Sequence, residues 1–128
     1  MTTGCLLRPM EIPRDCEGVA RVRTACFPAW PVAGHEVAEA ETRRPPERLH
    51  VPWVAVERGQ ITAYGYVEEP GVAARQGRIR LRVLVEPGRR RQGIGGALFS
   101  TLYARAIEHG ATELVTEAQA DDAGAPRF

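Results

Sequence analysis

Arg89-Arg90-Arg91-Gln92-Gly93-Ile94-Gly95-Gly96 is the stretch best suited to chemistry, because three cations stand beside three glycines within eight residues. Glycines carry no Cβ to hold a bulky anion away from the main chain. Ile94, Leu98, Leu102 and Ala106 recur every fourth residue, so the glycines open an amphipathic helix. A helix N-terminus offers unpaired N–H groups and the positive end of the helix dipole, so the combination suits binding of a phosphate-bearing ligand. Two common nucleotide motifs do not fit. A P-loop requires Gly-Lys-Ser/Thr, and here Gly93 is followed by Ile94 and Gly95. The dinucleotide fingerprint fails at Leu98, where its third glycine or alanine would stand, and the motif follows a hairpin rather than an opening βαβ unit.

Other reactive residue types give weaker signals. Cys5, Cys16 and Cys26 are odd in number and lack metal-like spacing, which suits inert thiols in a reducing compartment and a cytoplasmic location. His109 precedes Gly110 at the expected end of the glycine-led helix, where an imidazole meets the dipole and glycine forms the cap. His35 and His50 have no partners at metal-ligand spacing, and no metal is expected. Arg23 interrupts an apolar helical stripe. It reads either as an arginine whose stem lies on the core or as one aimed at a substrate.

These residues need a frame, and 128 residues suffice for one domain that buries a core without disulfides. Seventeen basic and 16 acidic residues give a formal charge of +1, so any anion site is local rather than global. Read alone, the arginine triplet also fits a solvated basic loop or a nucleic-acid contact. The near-neutral charge and the lack of a recognition motif argue against nucleic acid as a partner. No apolar run approaches the roughly 20 residues of a membrane span, and no membrane partner is expected.

Apolar periodicity supplies the elements. Cys5 to Pro9 reads as a strand, Pro13 opens a helix whose stripe is Cys16, Val19, Ala20, Cys26 and Phe27, and Ala33 to Arg43 reads as a second helix. Trp53 to Glu57 and Ile61 to Glu68 form a hairpin around Arg58 and Gly59. Ile79, Leu81, Val83 and Val85 then alternate with Arg80, Arg82, Leu84 and Glu86 in a further strand, and Glu113 to Ala118 reads as the strand after the glycine-led helix.

Arg90-Arg91-Gln92-Gly93-Ile94-Gly95 resembles the Q/R-x-x-G-x-G/A acyl-CoA signature of the GNAT family of N-acetyltransferases. It is preceded by Val83-Leu84-Val85-Glu86-Pro87, similar to that family's V-x-V-x-P strand ending, and followed by the usual Ala97-Leu98. The order of strand, two helices, hairpin, strand and helix agrees with the family from about Cys5 onward. The resemblance implies an α/β fold with a mixed, mainly antiparallel sheet flanked by helices, acetyl-CoA as co-substrate, and a primary amine of a small molecule or peptide as acceptor.

By position, the resemblance gives the amides from Arg91 through Gln92, Gly93, Ile94 and Gly95 to Gly96 to the CoA pyrophosphate. Arg89, Arg90 or Arg91 would add charge, and the main chain of Leu84 and Val85 would meet the pantetheine arm and the thioester carbonyl. Some members place a glutamate base where this chain has Arg82, which leaves Glu117, Glu86 and Glu68 as candidates alongside a water chain. Tyr64, Tyr66 and Tyr103 lie outside the family position of the general acid. Asp121 to Phe128 resembles the start of the helix that carries that acid. The expectation is therefore a fold lacking its usual last helix and two strands, completed by a missing segment or a homodimer partner. A non-catalytic acyl-CoA-binding or regulatory module, or an inactive fragment, is the alternative.

Overall fold

The computed structural model describes residues 5–70 and 76–118, the last two by their main chain alone. The elements run β1 (Cys5–Pro9), α1 (Cys16–Cys26), α2 (Gly34–Arg43), β2 (His50–Glu57), β3 (Gln60–Glu68), β4 (Arg78–Val85), α3 (Ile94–Glu108) and β5 (Glu113–Ala118). The strands lie side by side in chain order. Neighbours from β1 to β4 are antiparallel, and β5 runs parallel to β4 after the crossover through α3. This is the mixed, mainly antiparallel sheet expected from the sequence.

Strand alternation divides the core into two layers. Ile79, Leu81, Val83 and Val85 meet Ile94, Leu98, Leu102 and Ala106 of α3 on one face. On the other, Tyr64 and Leu84 pack against Val19, Val22, Cys26 and Val37 of α1 and α2. The four-residue repeat of α3 is buried along its length, so the helix that starts at the glycines is pinned against β4. Gly65 permits that packing: a Cβ there would stand 2.6 Å from the Arg82 carbonyl oxygen and 2.7 Å from Leu102 Cδ1.

Arg58 and Gly59 both have positive φ, the backbone of a two-residue type I′ hairpin whose twist matches its strands. A bulge between Ala55 and Val56 then leaves Thr62 as the extra residue of β3. Gly110 closes α3 in the left-handed conformation just after His109, as the sequence predicts.

Three boundaries differ from the sequence reading. Pro13 belongs to a turn ahead of α1, where the Cys16 N–H bonds the Pro13 carbonyl at 3.1 Å. Asp15, at the head of the helix, is buried. Its carboxylate takes a bidentate pair from Arg8 at 2.7 and 2.9 Å and a further bond from the Glu11 N–H at 2.7 Å. β2 begins at His50 rather than Trp53, in spite of Pro52. The Pro52 carbonyl accepts from Met10 N–H at 3.0 Å on the side where β1 has just ended, so the missing N–H interrupts no ladder. β4 stops at Val85, with Glu86 already in the turn to the short 3-10 segment Pro87–Arg89. Asp121 to Phe128, expected to begin a helix, lie outside the described residues.

Candidate active site

The loop between β4 and α3 delivers a set of main-chain donors. Gly93, the residue at the head of α3, has φ +84° and ψ −2°, and Arg91 also has positive φ. Left-handed residues at this spacing turn successive amides toward a common side, which makes an anion-binding concavity. The first intrahelical bond in the loop runs from Ala97 N–H to Gly93 O at 3.1 Å, so the amides of Ile94, Gly95 and Gly96 are the orphan donors of the helix start. Gly96 is exposed, and a Cβ on it would meet nothing within 4 Å. At Gly96 the approach to the loop is open, whereas Ile94 and Gly95 are buried.

The three arginines separate. Arg89 reaches back to an ion pair with Glu57 of β2. Arg90 folds over the end of β4, its Nε donating to the Val85 carbonyl at 3.1 Å and its Nη2 lying 3.6 Å from Cys26 Sγ. Arg91 and Gln92 are exposed beside the glycines. Of the triplet, Arg91 is the cation left facing outward from the loop.

At the end of β4 the Glu86 N–H bonds Thr62 O of β3 at 2.9 Å. By strand alternation the main-chain groups of Val85 face away from β3, which is where its carbonyl meets Arg90 and Cys26. The β3 ladder continues to Val85, whereas the β5 ladder of the described residues ends at Val83. The Val85 N–H therefore faces the β5 side, beyond the last described β4–β5 pair. The structure turns the main chain of Leu84 the other way, toward Tyr64 of β3, and sends its side chain to the α1 face. Glu86 is half-buried in an ion pair with Arg21, whose guanidinium also holds the Ile61 carbonyl. Glu117 stands opposite Arg82 in the β4–β5 ladder.

Beneath α1 and α2 lie two adjoining cavities of about 340 and 250 Å³, both bounded by Arg23, Arg82 and Leu84. Their deeper floor is a charged cluster that the sequence reading missed. His50, with its side chain 4% exposed, sits between Glu68 at 3.0 Å and Glu41 at 3.3 Å and against the Tyr66 ring at 5.2 Å. Arg44 bridges Glu41 at 2.8 Å and Glu68 at 3.6 Å, and Arg80 adds a contact to Glu68 at 3.3 Å. Burial works against charging His50, but the two carboxylates outweigh it and hold the imidazole pKa above its ordinary value. Burial likewise opposes ionisation of Glu41 and Glu68, and their cationic partners reverse it, leaving both carboxyls below the usual range. Tyr64 is raised, mainly by burial and then by the nearby Glu41, so its phenol keeps its proton.

Glu68 is therefore spoken for by three cations. Nothing in the sequence spacing shows this: His50 and Glu68 become neighbours only through the β2–β3 register. Among the described residues no group of histidines, cysteines and carboxylates is arranged to hold a metal ion.

A family model described as the acetyltransferase (GNAT) family matches residues 16–128. This chain belongs to that family. Among solved structures, a GNAT family acetyltransferase from Brucella melitensis in complex with acetyl-CoA is similar at 27% identity and a TM-score of 0.67, over 88% of this chain and 74% of that one. An N-acetyltransferase from Staphylococcus aureus Mu50 reaches a TM-score of 0.74 at 20% identity, over 89% of this chain and 73% of the other. YncA of Salmonella typhimurium, a putative acetyltransferase solved with its cofactor acetyl-CoA, gives 0.71 at 20% identity, over 89% and 69%. No curated protein matches the sequence. The GNAT acetyltransferase fold of these neighbours is the fold built above, with the glycine loop at the head of α3. No helix among the described residues is long and apolar enough to cross a membrane.

Proposed function

We propose that this GNAT acetyltransferase moves the acetyl group of acetyl-CoA onto a primary amine of a small molecule or peptide. The observation that carries the reading is the set of orphan amides of Ile94, Gly95 and Gly96 at the head of α3, open at Gly96 and beside the Val85 N–H beyond the last described β4–β5 pair. The amides fit a pyrophosphate, because no side chain stands over Gly96 and the helix dipole favours the negative charge. Arg91 supplies the nearest outward cation. The Brucella and Salmonella relatives bind acetyl-CoA, which supports the same donor here.

In the transfer the amine nitrogen forms a bond to the thioester carbonyl carbon, the C–S bond breaks, and the electron pair leaves on the CoA sulfur. The Val85 N–H is placed to donate to the carbonyl oxygen, whose negative charge grows in the tetrahedral state. The ammonium of the acceptor first yields its proton to water or a carboxylate, and the thiolate takes one up. Glu117, in register with Arg82 next to the last β4–β5 pair, is the first carboxylate to test as base, and Glu86 is the second. Glu68 is a poor choice, since His50, Arg44 and Arg80 all stabilise its ionised form.

The test is calorimetric titration of acetyl-CoA, with dephospho-CoA as control, followed by thiol release across a panel of amines. Saturable binding with amine-dependent CoA release is the expected result. Absence of binding by the folded chain overturns the reading, and binding without release for any amine reduces it to an acyl-CoA-binding module.

A further inference from the structure

Among the described side chains, the carboxylates lining the α1-side cavities are engaged, while two of the arginines have no carboxylate partner. Glu41 and Glu68 are taken up by His50, Arg44 and Arg80. Arg23 of α1 and Arg82 of β4 bound both cavities and have no carboxylate partner among the described side chains. Arg82 lies instead over the Phe27 ring, 5.3 Å from its centroid. Trp30, 79% exposed, forms the outer wall beside Phe27 and Leu84.

From this arrangement we infer that the acceptor is an amine bearing a carboxylate, of the amino-acid class, with Arg23 and Arg82 holding its anionic end. The inference rests on the acetyl-transfer reading for the amine, and on the cavity alone for the carboxylate. A guanidinium presents paired N–H donors that match a carboxylate, and two of them without a carboxylate partner among the described side chains give this half-buried cavity a positive charge that suits an anion. Phe27, Trp30 and Leu84 then face the body of the ligand, so an apolar side chain is favoured over a charged one. A simple alkylamine would bring a third cation beside the Arg23 and Arg82 guanidiniums, which argues against it. The cavity volumes suit a single small acceptor rather than a folded protein surface.

Trp30 provides a signal that does not depend on acetyl-CoA. Of the two tryptophans, Trp53 lies on the opposite layer near Arg105, so a Trp53→Phe chain reports on Trp30 alone. Fluorescence titration of that chain compares a panel of L-amino acids with their C-terminal amides, their decarboxylated amines and the matching aminoalkylphosphonates. At least one acid with an apolar side chain should bind saturably, with its amide weaker by about 10- to 100-fold, the effect of losing a charge-assisted pair. Arg23→Gln and Arg82→Lys should each shrink that acid-to-amide ratio while acetyl-CoA titrations stay as in the parent.

Equal binding of acids and amides across the panel overturns the inference, as does an undiminished ratio in both arginine variants. A preference for phosphonates replaces the carboxylate with a phosphate-bearing acceptor and also overturns it. The two readings fail separately: acid-selective binding without acetyl-CoA binding sinks the transferase proposal and keeps the arginine clamp, and the reverse pattern does the opposite.

Discussion

Gly96→Asp separates ligand binding from folding at the donor loop, because the same change should strengthen one and weaken the other. Gly96 is the third residue of α3, exposed, with open space where a Cβ would stand. For the free protein, replacing a helical glycine gains about 0.3 kcal/mol of propensity. A carboxylate in the first turn gains about 0.3–1 kcal/mol against the helix dipole. Together these should raise the melting temperature by about 3–5 °C. With a pyrophosphate on the amides as proposed, the new carboxylate would stand on the order of 5 Å from it, and that separation sets the repulsion. With an effective dielectric of about 40, each phosphate charge contributes roughly 1.7 kcal/mol of repulsion. Two such charges weaken acetyl-CoA by roughly a hundredfold or more at low salt, and less as salt screens the pair. The assay is paired calorimetry and thermal melting, with Gly96→Asn as the neutral control of similar bulk. An affinity for acetyl-CoA within about threefold of the parent, in a variant that melts higher, would refute the assignment of the pyrophosphate to these amides.

Two further predictions concern the groups that hold the frame. Asp15→Ala leaves the Arg8 guanidinium and the Glu11 N–H without their buried acceptor, and urea unfolding should show a loss of about 3 kcal/mol or more; a loss below about 1 kcal/mol would mean that the pair contributes as weakly as a surface one. The His50 cluster predicts a stability plateau between the ordinary glutamate and histidine values, roughly pH 4.3 to 6.5. The raised pKa of His50 gives a contribution complete below that window's upper limit and lost as pH rises through the folded value. The lowered pKa values of Glu41 and Glu68 give contributions complete above its lower limit and lost as pH falls through theirs. Melting temperature against pH should lose its alkaline slope near neutrality in His50→Gln, and an unchanged slope would remove His50 as its source.

The loop proposed as the donor site was legible in the sequence because its main chain makes it. A main-chain anion site needs glycines at a strand-to-helix turn, and Gly93, Gly95 and Gly96 declare both the turn and the missing side chains in one short stretch. The same locality made β4 and α3 readable, since alternation from Ile79 to Val85 and a four-residue repeat from Ile94 to Ala106 are properties of adjacent residues. Where a side chain goes is another matter. Arg89, Arg90 and Arg91 are indistinguishable as letters, yet the fold sends the first to Glu57 and the second to Val85. Glu57 comes from a strand end that only the sheet brings near, whereas Val85 lies five residues back along the chain.

The acceptor side lacked such a signal for the same reason. Its groups come from α1, α2, β2, β3 and β4, and no two of them are linked by a motif; Glu41, His50 and Glu68 meet only after the sheet is in register. Pro52 lies inside the strand that carries His50, where the rule excluding proline from sheet interiors is blind to where a neighbouring strand stops. Arg23 shows how far the sequence could go: it stood out as a cation in an apolar stripe, but whether it snorkels or binds depends on partners elsewhere. In the fold the nearby carboxylates are already engaged with other cations. Arg23 is thereby left without a carboxylate partner among the described side chains, which is the observation behind the proposed acceptor clamp. The proposed donor loop is thus written locally, whereas the side-chain pairings around the α1-side cavities are written in long-range contacts between strands and helices.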